Sequence, residues 1–309
     1  MDYRLSSQHF GRIEMATSRT IPFTASDGVK NTLTIYTGSQ TKSTAPLVLF
    51  LPAMGVPAKK YHHWCTALAE DGVVCAIMDL RGIGASSVRA SRSVNFSFAH
   101  LIELDIPAAL ACLEAEYKNN PLFVAGHSLG GQLAALYCGY ANTQNDLVAP
   151  KGLALVASCS IFYYRWPAPG SWVLWMFTQA SNLLAKALGY FPGKKVGFGG
   201  TEARGIISDW SYNARTGEYH IQSIEDKSRT NYEPMLNTVL CPTLSINFKD
   251  DRFAPINATN HLLGKLRPRS LKRLQFNRLD LKAIRADHYS WMKAPAIPSS
   301  ALVRWLKEQ

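Results

Sequence analysis

A chain of 309 residues with 47% hydrophobic side chains can bury one large α/β domain with an insertion, or at most two modest domains, and is no candidate for disorder. Its 33 basic and 22 acidic residues leave a net charge of +11, and eight of the basic side chains crowd between Lys265 and Arg285 against the single acid Asp280. No nucleic-acid module signature accompanies that stretch, so it reads first as a solvated face, although an anionic membrane or a phosphate-bearing substrate would also be drawn to it.

The elements can be taken in chain order. Residues 19 to 38 alternate apolar and polar side chains around Asp27-Gly28, which predicts two strands joined by a turn. Leu47 to Leu51 is a continuous apolar run, as expected of a parallel strand covered on both faces, and it ends in the irregular loop Pro52 to Pro57. A helix through Trp64, Leu68 and Ala69 stops at Asp71-Gly72, and Val73 to Leu80 forms another buried strand. Helical spacing runs from Phe98 to Tyr117 and leads into the strand that begins at Leu122. After the next helix comes a sixth strand, Gly152 to Ser158.

Between Ser158 and Leu240 the alternation stops. Residues 161 to 198 hold ten aromatics, and no Asp or Glu lies between Asp146 and Glu202. So long an excursion predicts an insertion with its own helices. Alternation resumes with a strand over Pro242 to Phe248, then a helix, a last strand near Leu274 to Leu279, and a helix from Tyr289 to Lys307. The expected organisation is an α/β core in two parts, residues 1–158 and 241–309, with a cap inserted at 159–240: a mostly parallel sheet flanked by helices.

The six cysteines are scattered singly, which suits reduced core thiols rather than a disulfide framework or a zinc site. The first eight residues lack the apolar core of a secretory leader, and no apolar run is long enough to span a membrane. A cytoplasmic protein needing no metal and no cofactor is expected.

The chemistry concentrates at Gly126-His127-Ser128-Leu129-Gly130, between a strand and a helix. That is a nucleophile elbow: Gly126 and Gly130 make room for a tight turn that presents Ser128 at the start of a helix. A serine needs a base, and in an open parallel sheet the base should follow a strand; His288 does. For the orienting acid, Asp250 and Asp251 both follow a strand, and Asp251 is preferred because Asp251 to Pro255 leads into a helix. Oxyanion donors are expected from the backbone N–H of Leu129 and of Met54, where Gly55 lets the loop turn. His127 adjoins the nucleophile but should point elsewhere.

Assembled in the order Ser128, Asp251, His288, these residues resemble the α/β-hydrolase superfamily. Asp79-x-Arg81-Gly82-x-Gly84-x-Ser86 and the Asp-x-x-x-Pro at Asp251 to Pro255 add to the likeness, and the loop Leu51 to Ala58 looks like that of a poorly characterised bacterial branch of predicted esterases. The resemblance implies that the insertion is a lid over Ser128. Its aromatic, acid-free composition suggests an apolar substrate pocket, with Trp166, Trp172, Trp175 and Phe177 as candidate walls. The expected function is hydrolysis of a small-molecule carboxylic ester or thioester through an acyl-enzyme on Ser128. Acyl transfer from the same intermediate and a non-catalytic binding protein are the alternatives, and an amphipathic lid with the basic stretch would suit peripheral membrane contact.

Overall fold

The computed structural model describes residues 16–226 and 228–309. The N-terminal segment read above for a secretory leader lies outside them. Eight strands form the central sheet: β1 (Thr17–Thr24), β2 (Lys30–Thr37), β3 (Leu47–Leu51), β4 (Val74–Met78), β5 (Leu122–His127), β6 (Gly152–Val156), β7 (Thr243–Phe248) and β8 (Leu271–Phe276). Their order is β1-β2-β4-β3-β5-β6-β7-β8. The β1–β2 hairpin is antiparallel and joins β4 antiparallel, whereas every pair from β4 to β8 is parallel.

Among the described residues the long helices are α1 (His62–Glu70), α2 (Ile106–Tyr117), α3 (Leu129–Ala141), α4 (Gly170–Leu188), α5 (Arg204–Thr216), α6 (Ile256–Leu263) and α7 (Ala296–Lys307). One face of the sheet packs on α2 and α3 through Leu110, Leu133 and Leu136. The other packs on α1 and α7, with Trp64, Trp291 and Trp305 fully enclosed. Strands β3, β4 and β6 are buried throughout, which is why their sequences run apolar. Strand β7 is equally buried but alternates, and its polar side chains pair internally, Ser245 donating to Asn247 at 2.9 Å and Asn247 to Thr259 at 3.0 Å.

Register places the site. Leu51 pairs with Gly126, His127 with Val156, and Ile246 with Val156, so the carboxyl ends of β3, β5, β6 and β7 lie side by side. The loops that leave these ends carry Met54, Ser128 and Asp251 to a common edge, the usual place for chemistry in such a sheet.

Three sequence-based boundaries shift. The predicted helix over 98–117 opens with a wide, π-type turn at His100–Asp105 before α2 begins. The last strand is Leu271–Phe276 rather than 274–279, because Asn277 closes it: its side-chain oxygen accepts the N–H of Leu279 at 2.7 Å and of Asp280 at 3.2 Å. The final helix is not continuous from Tyr289. A short 3₁₀ turn covers Ser290–Met292, and α7 starts only after Pro295, whose ring disfavours helical backbone at Ala294.

Between β6 and β7 the chain leaves the sheet. Here α4 packs on α5, and two short antiparallel pairs, Tyr190–Pro192 with Thr201–Ala203 and His220–Gln222 with Arg229–Asn231, complete the excursion. Helix α4 has an inverted pattern. Ser171, Thr178, Ser181 and Ala185 face inward, while Trp172, Val173, Met176, Leu183 and Leu188 are exposed.

Candidate active site

Strand β5 ends at His127, and the backbone turns at Ser128 with φ 54° and ψ −118° before α3 begins. That conformation is rare for a residue bearing a Cβ, and it raises the serine clear of the strand. The turn needs its glycines. A Cβ on Gly126 would lie 2.3 Å from the backbone of Gly130, and one on Gly130 would lie 2.1 Å from the carbonyl oxygen of Leu51. Leu129 is the first residue of α3, so no carbonyl of that helix can reach its N–H.

Asp251 leaves β7 in a tight turn in which one carboxylate oxygen accepts the N–H of Phe253 at 2.7 Å and of Ala254 at 2.9 Å. Its other oxygen receives Nδ1–H of His288 at 2.8 Å, and both side chains are buried. A carboxylate only accepts, so the imidazole proton sits on Nδ1 and the Nε2 lone pair is left as a base. The indole N–H of Trp291 donates to the carbonyl of His288 at 2.9 Å and anchors this loop. Asp250, the other carboxylate considered, instead accepts the N–H of Ala286 at 3.2 Å.

The loop after β3 is held from two sides. Ala53 donates its N–H to the hydroxyl of Tyr61 at 2.9 Å, and that hydroxyl shares a hydrogen bond with Nδ1 of His127 at 2.8 Å. Farther along, Ala58 donates its N–H to Asp79 at 2.7 Å, whose second oxygen accepts Ala85 N–H at 2.9 Å. Gly55 has φ 70°, and a Cβ there would lie 2.3 Å from the backbone of Gly200. His127 is fully enclosed, and desolvation together with the neighbouring His288 ring, 4.6 Å between centroids, holds it well below its usual titration range. It is therefore a neutral structural bridge between elbow and loop. Sequence reasoning sets His127 aside as pointing away from the nucleophile and assigns it no bridging role, and it gives no role to Tyr61. The only trace of them was a histidine in the elbow and a tyrosine eight residues after Ala53.

Ser128, His288 and Met54 line one cavity of about 350 Å³, with Ile161, Leu174 and Trp210 among its other walls. Of the four candidate aromatics, Trp166 and Phe177 line it, whereas Trp172 is 61% exposed on the outer face of α4 and Trp175 lies outside the cavity wall. The helical period explains the split: positions 170, 173, 174 and 177 share the edge of α4 that meets the cavity, and 172 and 175 do not. Cys159 also reaches the cavity, but burial pushes its thiol well above the usual range, which leaves it protonated. Among the described residues no cluster of three or more His, Cys, Asp or Glu is arranged to hold a metal ion. No described helix is long and apolar enough to cross a membrane.

Solved structures share the architecture. An esterase domain of Rhodothermus marinus superposes with a TM-score of 0.57 at 17% identity, covering 94% of this chain and 98% of its own. A hydrolase from Pseudomonas aeruginosa gives a TM-score of 0.59 at 18% identity, covering 93% and 98%. An esterase of Pyrococcus furiosus gives 0.57 at 14%, covering 96% and 93%. At such identities the likeness speaks for the fold alone. No curated protein matches the chain by sequence. The family model described as serine aminopeptidase, S33, matches residues 42–213, more than half of the chain, and takes in the elbow and the loop after β3. The chain therefore belongs to the serine aminopeptidase S33 family and is an α/β hydrolase.

Proposed function

We propose that the protein is a serine hydrolase of carboxylic esters or thioesters with an apolar acyl group. The observation that carries this reading is the Asp251–His288 pair meeting Ser128 at one largely apolar cavity. Ser128 attacks the carbonyl carbon while Nε2 of His288 takes its proton, and the N–H groups of Leu129 and Met54 receive the oxyanion. His288 then protonates the departing alcohol or thiol, leaving the acyl group on Ser128. Water deprotonated by His288 attacks that ester, releases the acid and restores Ser128. The second reading suggested by the family name, cleavage at a free amino terminus, is disfavoured by charge. Among the described residues the cavity wall carries no carboxylate to receive an ammonium group, and its one formally cationic side chain is Arg252.

The insertion serves as the lid. Its edge formed by Val173, Leu174 and Phe177 lines the cavity, and its outer face exposes Trp172, Met176, Leu183 and Leu188. Lys186, Lys194 and Lys195 are exposed on the same insertion, and with no acid between residues 147 and 201 the insertion suits an anionic lipid surface. Cosedimentation with phosphatidylglycerol vesicles tests this: Trp172→Ser with Leu183→Ser should release the protein, and equal partitioning of both forms would refute the contact.

The catalytic reading is tested with p-nitrophenyl esters of increasing acyl length. Wild type should turn over the shorter and medium chains that a cavity near the small end of ligand sites admits. Ser128→Ala should abolish turnover in a folded protein; retained turnover would refute the mechanism.

A further inference from the structure

A second cavity, about 1340 Å³ and open to solvent, adjoins the first. Arg252, Phe253, His288 and Tyr289 belong to the walls of both, so His288 stands on the partition between them. The two halves differ in chemistry. The first is apolar, while the second gathers Lys249, Arg252, Arg278, Arg285 and Lys293.

Against those five cations the same wall sets three carboxylates, Asp250, Asp251 and Asp287, which leaves an excess of positive charge, and the hydrogen bonds of the three acids are directed elsewhere. Asp251 is engaged by His288, and Asp250 accepts the N–H of Ala286. Asp287 caps the backbone N–H groups of Tyr289 at 3.1 Å and Ser290 at 2.9 Å. Among the described residues none of the five takes part in a side-chain ion pair, whereas Lys265, Lys272, Arg81 and Arg229 all do. The excess positive charge and the unpaired cationic heads around one groove would attract a polyanion seated there. Three of them are guanidinium groups, whose planar donors match phosphate oxygens in pairs.

We propose that this groove binds phosphate carried on the alcohol or thiol half of the substrate. The proposal rests on the hydrolase reading and extends it. With the acyl chain in the apolar cavity and the carbonyl at Ser128, the leaving group must depart past His288, and the space on that side is the basic groove. In the chemical step the Ser128 Oγ–acyl bond forms and the carbonyl C–S or C–O bond breaks. The proton held by His288 passes to the departing sulfur or oxygen, and the phosphorylated product remains in the groove until it diffuses away. A phosphopantetheine-type thioester and an acylated glycerol phosphate share this chemistry.

The test compares substrates with one acyl chain on four leaving groups: coenzyme A, N-acetylcysteamine, glycerol 3-phosphate and glycerol. Wild type and Arg278→Gln/Arg285→Gln are assayed at low and high salt, beside fluorophosphonate labelling of both proteins. The phosphorylated member of each pair should have kcat/KM higher by about tenfold or more at low salt, with the advantage shrinking at high salt. The double variant should lose most of that advantage while its rate on the neutral members and its labelling stay unchanged. Preference between the two phosphorylated substrates separates a nucleotide thiol from a lipid headgroup. Equal kcat/KM within each pair, or a variant that slows all four alike, overturns the proposal while labelling and neutral-ester turnover leave the hydrolase reading intact. Loss of labelling and of neutral turnover in wild type would instead overturn the underlying reading, and the groove's role with it.

Discussion

Replacing Tyr61 with Phe removes one oxygen from the centre of the site and little else. Tyr61 is wholly buried, and the phenyl ring fits the same space, so no sizeable cavity opens. Its hydroxyl accepts from Ala53 N–H and is hydrogen-bonded to His127 Nδ1. Without it both groups are enclosed and unpaired, at a cost of roughly 1–3 kcal/mol each, or about 2–6 kcal/mol together. At ~2 °C per kcal/mol for a chain of this size, Tm should fall by about 4–12 °C. The loss should also reach catalysis, because Ala53 precedes the proposed oxyanion donor Met54. Outright removal of such a donor lowers kcat by about 10²–10³, and a loosened loop should lower it by less, with KM nearly unchanged. Thermal unfolding and steady-state kinetics on a p-nitrophenyl ester read both effects. A Tm within a degree of wild type, with kcat unaltered, would refute the bridging role.

Gly126→Ala should prevent folding or lower stability by more than about 3 kcal/mol, since its methyl group would meet backbone rather than a movable side chain; a soluble variant with wild-type denaturant midpoint would count against the elbow geometry. Arg81 is held between Asp105 and Asp27 at 2.5 Å each, and Arg81 and Asp105 are both buried. Arg81→Met should therefore cost about 3–5 kcal/mol in chemical denaturation, because it leaves the buried Asp105 charge uncompensated. Glu202 is enclosed beside Gly200, and burial raises its carboxyl from 4.5 to about 6. The folded state thus binds this proton more tightly than the unfolded chain, so its favourable share is complete below pH ~4.5 and is lost as pH rises through ~6. Glu202→Gln should be more stable than wild type by up to about 2 kcal/mol above pH 6 and gain nothing near pH 4; a difference that stays flat with pH would show that the carboxyl is not shifted.

What the sequence discloses follows from how locally each feature is determined. The parallel strands were legible because burial on both faces leaves unbroken apolar runs, as in Leu47–Leu51 and Gly152–Val156. The elbow was legible because its two glycines are demanded by contacts within five residues of chain and one neighbouring strand. Edge strand β8 was blurred, since half its residues face solvent and carry charge, and its end is set by the Asn277 turn rather than by hydrophobicity. Between two adjacent aspartates the turn into the next helix favoured Asp251 as the partner of His288, but the pairing itself depends on which side of that turn faces a loop 37 residues away. Trp172 and Trp175 misled for a related reason. Aromatic content marks an unusual helix, but only the orientation of α4 decides which side chains meet the cavity. The Ala53–Tyr61–His127 chain is assembled from three elements and has no sequence signature of its own.

The claim on which the rest depends is that Ser128 is an activated nucleophile. Treating the purified protein with a fluorophosphonate and mapping the adduct by peptide mass spectrometry tests it directly. A single adduct should form on the peptide containing Ser128, vanish in Ser128→Ala and form far more slowly in His288→Ala. A folded wild-type protein that takes up no label, or one labelled equally after Ser128→Ala, would contradict it.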